Sequence, residues 1–285
     1  MADMLWLKLV TSFLTAVNAQ FPQPAEAPQA AVAPEKKVDG ALTADALLTR
    51  LEKSDEKLSS IQAEVVYDKI MVIAGDRQIR AGKLFFENKA DAATGEKHRR
   101  FAITFEGKRQ LGVKVETKQQ HYIFDGEWLI EKLVADKQII KRQVVKPGEK
   151  FDPLKIGEGP MPIPIGQKKE DITARYDVTL VAATDGLEDE SLKEFVEGAW
   201  QLKLVPKVGA DRNFKEIRLW YREESKLDGK PVLPRMARTV DSADDVSLVQ
   251  LIKLKINETL DETQFDSNLP DASWSVAVHP YRDGQ

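Results

Sequence analysis

Hydrophobic and polar positions follow two periods along this chain. In "LTADALLTRLEKSDEKLSSIQ" (Leu42 to Gln62) apolar residues recur at helical spacing, with Leu47, Leu48, Leu51 and Leu58 on one face. The pattern predicts a helix with one apolar and one charged side. Thr43 is its expected N-cap, and Asp45 adds negative charge to the first turn, where the helix dipole favours it.

From Ile61 the period becomes two. "AEVVYDKIMVIAG" and "RQIRAGKLFFENK" read as strands joined by a turn at Ala74-Gly75-Asp76. "RRFAITFEGK" alternates Phe101, Ile103 and Phe105. "LGVKVETKQQHYIF", "EWLIEKLVA" and "KQIIKRQVV" follow, with turns at Asp125-Gly126 and near Asp136. Asp-Gly between alternating apolar runs is a strong hairpin signal, so Asp125 is read as a turn residue rather than an acid. A two-residue turn and a longer loop place Trp128 on opposite faces of the sheet.

"KPGEKFDPLKIGEGPMPIPIGQ" (Lys146 to Gln167) carries five prolines and four glycines and interrupts the meander as a long connection, a rim or lid segment. "KKEDITARY" and "DESLKEFVEG" read as short helices. Strands resume in "AWQLKLVPK", "FKEIRLWYREE", "VLPRMARTVDS" and "DVSLVQLIKLKINETL". The resulting fold class is mainly β: a single curved antiparallel sheet forming an incomplete barrel. The N-terminal helix and the short helices are expected on its concave face.

The chain has 285 residues, 42% hydrophobic and 31% charged, which is enough to build a core. Its net charge of −4 does not favour nucleic acid as a partner. It has no cysteine, which excludes disulfides, thiolate metal sites and a lipid-modified N-terminal cysteine. "MLWLKLVTSFLTAV" has the length of a signal-peptide apolar region, and Val17-Asn18-Ala19 fits a peptidase site. The expected organisation is a signal peptide over 1–19, a Pro/Ala-rich linker over 20–41 and one domain over 42–285. Export to the periplasm follows from that leader.

Candidate chemistry is sparse. His98, His121 and His279 lie far apart and lack metal-ligand spacing. No phosphate loop or nucleophile motif occurs, and "GLEDE" (Gly186 to Glu190) lacks calcium-ligand spacing. No cofactor is expected. "NET" at Asn257 fits both a glycosylation signal and a strand end. Large apolar residues dominate instead. Leu84, Phe86, Phe101, Ile103, Phe105, Tyr122, Phe124, Leu202, Leu204, Leu219, Tyr221, Ile252, Leu254 and Ile256 are expected to share one interior. They form either an ordinary core or the lining of a cavity for an apolar ligand.

The order of these segments resembles the LolA-type outer-membrane lipoprotein carrier family. "LLTRLEKSDEKLSSIQAEVVYDK" is similar to that family's first helix and its exit into strand one. "GKLFFENK", "RRFAITFEG" and "YIFDGEWLIEK" are similar to the strands that follow. "FKEIRLWYREESKLDGKPVLPRMARTVDS" and "VQLIKLKINETLDETQFDSNLP" resemble the closing strands, so the likeness spans roughly Leu42 to Pro270.

The resemblance implies a non-catalytic carrier of acyl chains with a helical lid over an apolar hollow. Its lipid-binding residues would be Leu47, Leu48, Leu51, Leu84, Phe86, Phe101, Ile103, Phe105, Tyr122, Phe124, Leu219, Tyr221 and Leu254. The Leu47/Leu48/Leu51 face is expected to roof the Phe86, Phe101 and Phe105 floor. In the family an arginine latches the lid; here that position is Asn88, whose amide lacks the charged fork. Implied partners are lipid or lipoprotein acyl chains, a release complex at the inner membrane and an acceptor at the outer membrane, for a monomeric protein. The alternative is a lipoprotein- or envelope-stress-sensing binding module of the same fold.

Overall fold

A computed structural model describes residues 42–90, 97–110, 119–146, 165, 168–210, 213–225, 229–268 and 271–281. The expected leader and linker, and nearly all of the Pro-rich connection, lie outside the described residues. The first helix, α1, spans Ala44–Glu56 and is capped as its sequence suggests, with Thr43 Oγ1 accepting from the Ala46 amide at 3.1 Å.

The strands are β1 (Ser60–Met71), β2 (Asp76–Ala90), β3 (Lys97–Gln110), β4 (Gln120–Phe124), β5 (Trp128–Leu133) and β6 (Gln138–Gln143), then β7 (Tyr176–Val181), β8 (Trp200–Pro206), β9 (Phe214–Glu223), β10 (Val232–Asp241), β11 (Val246–Ile256) and β12 (Ser275–His279). Two short helices intervene, α2 (Lys169–Arg175) and α3 (Glu190–Phe195), and a 3-10 turn spans Glu262–Phe265. Two strands escape the sequence pattern. β7 follows α2 with no intervening turn signal, and β12 lies in the final segment.

Among the described residues, the twelve strands form one sheet in the order β12-β6-β5-β4-β3-β2-β1-β11-β10-β9-β8-β7. It is open, with β12 and β7 as its edges. The meander halves meet where β1 pairs with β11, antiparallel, from Ile61↔Ile256 to Ile70↔Val246. Every pairing is antiparallel except β12 with β6, which is parallel. That exception departs from the purely antiparallel expectation.

Bulges bend the sheet. Between β2 and β3, Ala81 faces Gly107 while Gly82 faces Phe105, leaving Glu106 as the extra residue. A Cβ at Gly82 would lie 1.8 Å from the Thr104 carbonyl oxygen, so only glycine permits this approach. Gly82→Ala is therefore expected to destabilise the protein by at least ~2 kcal/mol, as a steric conflict against backbone. A denaturant midpoint unchanged from the parent would show that the two strands can separate at no cost.

Alternation divides the side chains between two faces. On the inner face, Leu84, Phe86, Phe101, Ile103, Phe105 and Phe124 join one buried cluster; Leu202, Leu204, Ile217, Leu219 and Tyr221 join a second with α1. The outer face is covered too. Phe85, Ala102, Ile123, Ile130 and Ile139 pack under Leu260 and Phe265. Trp220, Met236 and Leu248 pack under Leu187 and Val196, with Leu192 and Phe195 alongside. Of the two short helices, α2 contributes Ile172 to the inner face and α3 lies on the outer one.

Candidate functional site

The site is built from the inner face. Its first half is an aromatic floor on β1–β4. Phe101 stacks on Phe124 with ring centroids 5.8 Å apart and planes 23° apart. Phe105 meets Tyr122 edge-on at 6.3 Å and Tyr67 at 6.3 Å. Cross-strand pairs Phe86↔Phe101 and Phe101↔Phe124 place these rings in one row. Tyr122, Leu254 and Ile256 pack at the margin of this cluster, half-buried.

One end of the floor is polar. Arg80 donates to Gln120 Oε1 at 2.6 Å, and the Gln120 amide donates to the Tyr122 hydroxyl at 2.6 Å and to Glu131. Burial, reinforced by the Glu131 charge, raises the Tyr122 phenol above its ordinary range. This network offers hydrogen-bond donors and acceptors at one end of an apolar floor.

The second half of the inner face lies under α1. Leu47, Leu48 and Leu51 meet Ile172, Tyr176, Leu202, Leu204, Leu219 and Tyr221. Burial also holds the Tyr221 hydroxyl neutral, well above its usual pKa, with Asp55 adding to the effect. Here the expectation fails in one respect. The Leu47/Leu48/Leu51 face packs on the β7–β10 half, while Phe86, Phe101 and Phe105 belong to the other cluster. One interior was expected and two adjoining ones exist. The reason is width: a 13-residue helix spans about 20 Å and covers only part of a twelve-stranded sheet.

Ile252 also departs from expectation. It belongs to neither inner cluster, although Leu251 and Leu254 do pack there. Lys253 adopts φ +52° and the β1–β11 register shifts nearby, resetting the alternation.

Two asparagines clamp the segment linking α1 to β1. Asn88 Nδ2 donates to the Leu58 carbonyl at 3.1 Å, and the Asn88 amide donates to the Ser59 carbonyl at 2.8 Å. From the other side, Asn257 Oδ1 accepts from Ser59 N at 2.8 Å and Ser59 Oγ at 3.0 Å, and Asn257 Nδ2 donates to the Lys57 carbonyl at 3.2 Å. Asn257 directly follows β11 at φ +55°, a conformation asparagine tolerates better than most residues. The "NET" motif is thus a strand end whose amide is engaged.

Asn257→Ala removes more hydrogen bonds than Asn88→Ala, and each is worth about 0.5–1.5 kcal/mol. Asn257→Ala is expected to cost about 1–3 kcal/mol and Asn88→Ala about 1, with faster amide exchange at Ser59 in both. Unchanged exchange at Ser59 would show that the clamp does not hold the helix exit.

Beside the clamp lies a cleft of about 950 Å³. Arg50, Lys53, Ser54 and Lys57 of the helix and its exit line one wall. Glu223, Gly229, Lys230, Pro231 and Val232 of the β9–β10 turn line the other. Leu58, from the aromatic cluster, and Val232, from the helix cluster, both reach it, so the cleft opens at the seam between the two. No sequence motif marks this site, because its residues come from three distant segments.

Two other uncertainties in the sequence are settled by position. Trp128 packs with Ile130 on the outer face. Asp125 is a turn residue: its Oδ1 accepts from Glu127 N at 3.0 Å and Trp128 N at 2.8 Å, in a loop longer than two residues. His121 alternates with Tyr122 and faces outward; burial, then the Lys132 charge, lowers its pKa. Among the described residues no group of three or more histidine, aspartate or glutamate side chains could hold a metal. No helix among them is long and apolar enough to cross a membrane.

No family model matches this sequence, and no curated protein matches it. Among solved structures, the chain is similar to an uncharacterized conserved protein from Thermus thermophilus, with 15% identity and a TM-score of 0.44 over 84% of this chain and 99% of that one. It is also similar to LprF from Mycobacterium bovis, with 12% identity and a TM-score of 0.36 over 80% of this chain and 96% of that one. Structures similar to this chain include a LolA superfamily protein from Nitrosomonas europaea, with 12% identity and a TM-score of 0.36 over 80% of this chain and 99% of that one.

Proposed function

We propose that this chain is a non-catalytic periplasmic binding protein that carries acyl chains of lipids or lipoproteins on the inner face of its sheet. One observation carries the reading. The aromatic floor on β1–β4 lies beside α1 rather than beneath it. Among the described residues, only Leu58, Val144, Val145 and Ile165 pack on it from outside the strands.

A floor roofed by so few strand-independent residues can exchange those contacts for a ligand's. Each buried methylene contributes about 0.8 kcal/mol, so a chain of roughly fifteen contributes on the order of 10 kcal/mol before ordering costs. The floor is closed in this state, with Phe86 and Phe101 each 1% exposed, so a ligand must displace contacts already made, and that cost keeps the gain reversible, as a carrier needs. Leu84, Phe86, Phe101, Ile103, Phe105, Phe124 and, at the margin, Tyr122 and Leu254 would contact the tail. Leu47, Leu48, Leu51, Leu219 and Tyr221 would instead anchor α1 at the border of the site. Asn88 takes the latch role through its bond to Leu58, holding the helix exit by one neutral hydrogen bond. The apolar leader supports a periplasmic setting, with release and acceptor complexes in the two membranes as partners.

The test is direct. Protein purified from the envelope and extracted with organic solvent is expected to yield acyl lipid by mass spectrometry, and the stripped protein to take up a fluorescent fatty acid. Extracts free of acyl lipid, together with no uptake, would overturn the reading.

A further inference from the structure

We infer that the cleft at the exit of α1 is a binding site for an oxyanion, the phosphate-bearing headgroup of an anionic amphiphile. The inference rests on the acyl-carrier reading for the tail, while the anion contacts stand on the cleft alone.

Charge is the first argument. The protein carries −4 overall, yet among the described residues the cleft walls hold Arg50, Lys53, Lys57 and Lys230 against a single carboxylate, Glu223. That carboxylate is engaged by Arg50, whose guanidinium also lies 4.9 Å from the centroid of the Trp200 ring. Lys53, Lys57 and Lys230 make no ion pair among the described residues.

Convergence is the second. Lys53 and Lys57 stand one helical turn apart at the C-terminal end of α1, where cations suit the helix dipole. Dipole compensation does not account for Lys230, which arrives from the opposite wall on backbone at φ +43°. Nor does it account for Lys57 Nζ reaching across to Gly229, where it lies 3.5 Å from the position a Cβ would occupy. Like charges gathered around a concave volume repel one another, and a bound anion removes that cost.

The base of the cleft is the third. Leu58, Val232 and Ile256 are apolar and lead to the seam between the inner clusters. A free phosphate has no use for them, whereas the first carbons of a lipid tail do. The geometry therefore suits a headgroup held at the rim with its chain directed toward the floor.

The experiment uses the full chain and three probes sharing one fluorescent acyl tail: phosphatidylglycerol, phosphatidylcholine and uncharged diacylglycerol. Phosphatidylglycerol is expected to bind about tenfold more tightly than diacylglycerol at low salt, a preference that shrinks as salt screens the lysines. The Lys53→Glu/Lys57→Glu/Lys230→Glu variant is expected to lose the preference while keeping its affinity for diacylglycerol. Equal affinities in the parent, or a preference surviving in the variant, would overturn the site.

If no acyl probe binds, the carrier reading has failed by itself. Inorganic phosphate and glycerol phosphate, titrated against the amide resonances of Lys57 and Gly229, then decide for the cleft. Shifts that vanish in the charge-reversed variant support an oxyanion site for soluble phosphate. No shift in the parent rejects it.

Discussion

Leu47→Asp is expected to lift α1 from the sheet while leaving the strands paired. Leu47 is 0% exposed, and its neighbours across the interface are the apolar side chains of β7–β10 and α2. Truncating such a leucine to alanine alone costs about 2–5 kcal/mol. An aspartate adds a carboxylate with no buried partner, a further penalty of several kcal/mol unless the helix leaves. Once undocked, 13 residues do not sustain a helix in water, because most helical stability comes from tertiary packing. The sheet is held independently by its ladders. Amide exchange should therefore accelerate over Ala44–Glu56 while β2 and β3 stay protected. Protection lost throughout the chain would mean that the helix and sheet fold as one unit.

Phe101→Ala is expected to cost about 3–5 kcal/mol, the usual loss for emptying a phenylalanine site, with the Phe124 stack as part of it. Phe101 is 1% exposed and sits in the middle of the ring row. Its removal should lower both the denaturant midpoint and the uptake of a fluorescent fatty acid. Trp128→Ala is the matched control. Trp128 packs on the outer face and is half-buried, so its loss should cost less stability and leave uptake unchanged. Reduced uptake in the Trp128 variant alone would place the ligand on the wrong face for this account.

Local patterns made much of the architecture legible. Phe101, Ile103 and Phe105 alternate in sequence and fall in one cluster. Thr43 caps α1, and Asp125 turns β4 into β5. What escaped was non-local. Nothing near Ser275 says that it will pair in parallel with a strand beginning at Gln138. A one-residue irregularity at Lys253 turned Ile252 away from a face that plain alternation assigned to it. Periodicity shows that residues are apolar but not which half of a wide sheet the helix will cover, so it does not foretell that α1 packs on the β7–β10 half. The cover of the outer face is hard to read for a related reason: Leu260, Phe265 and Leu187 lie in segments without strand or helix periodicity, and the short helical pattern that holds Val196 does not say which face of the sheet it covers. The cleft was illegible because residues near 50, 223 and 256 meet only after the sheet has formed.

Photo-cross-linking gives the most direct view of where a ligand lies. A fatty acid bearing a diazirine at the end of its chain would be bound, irradiated and located by peptide mass spectrometry. The account predicts labels in Ile61–Val65, Leu84–Phe86 and Phe101–Phe105, the strands of the inner floor. Labels concentrated in Leu260–Phe265 or at Trp274 on the outer face, or none above an unirradiated control, would contradict it.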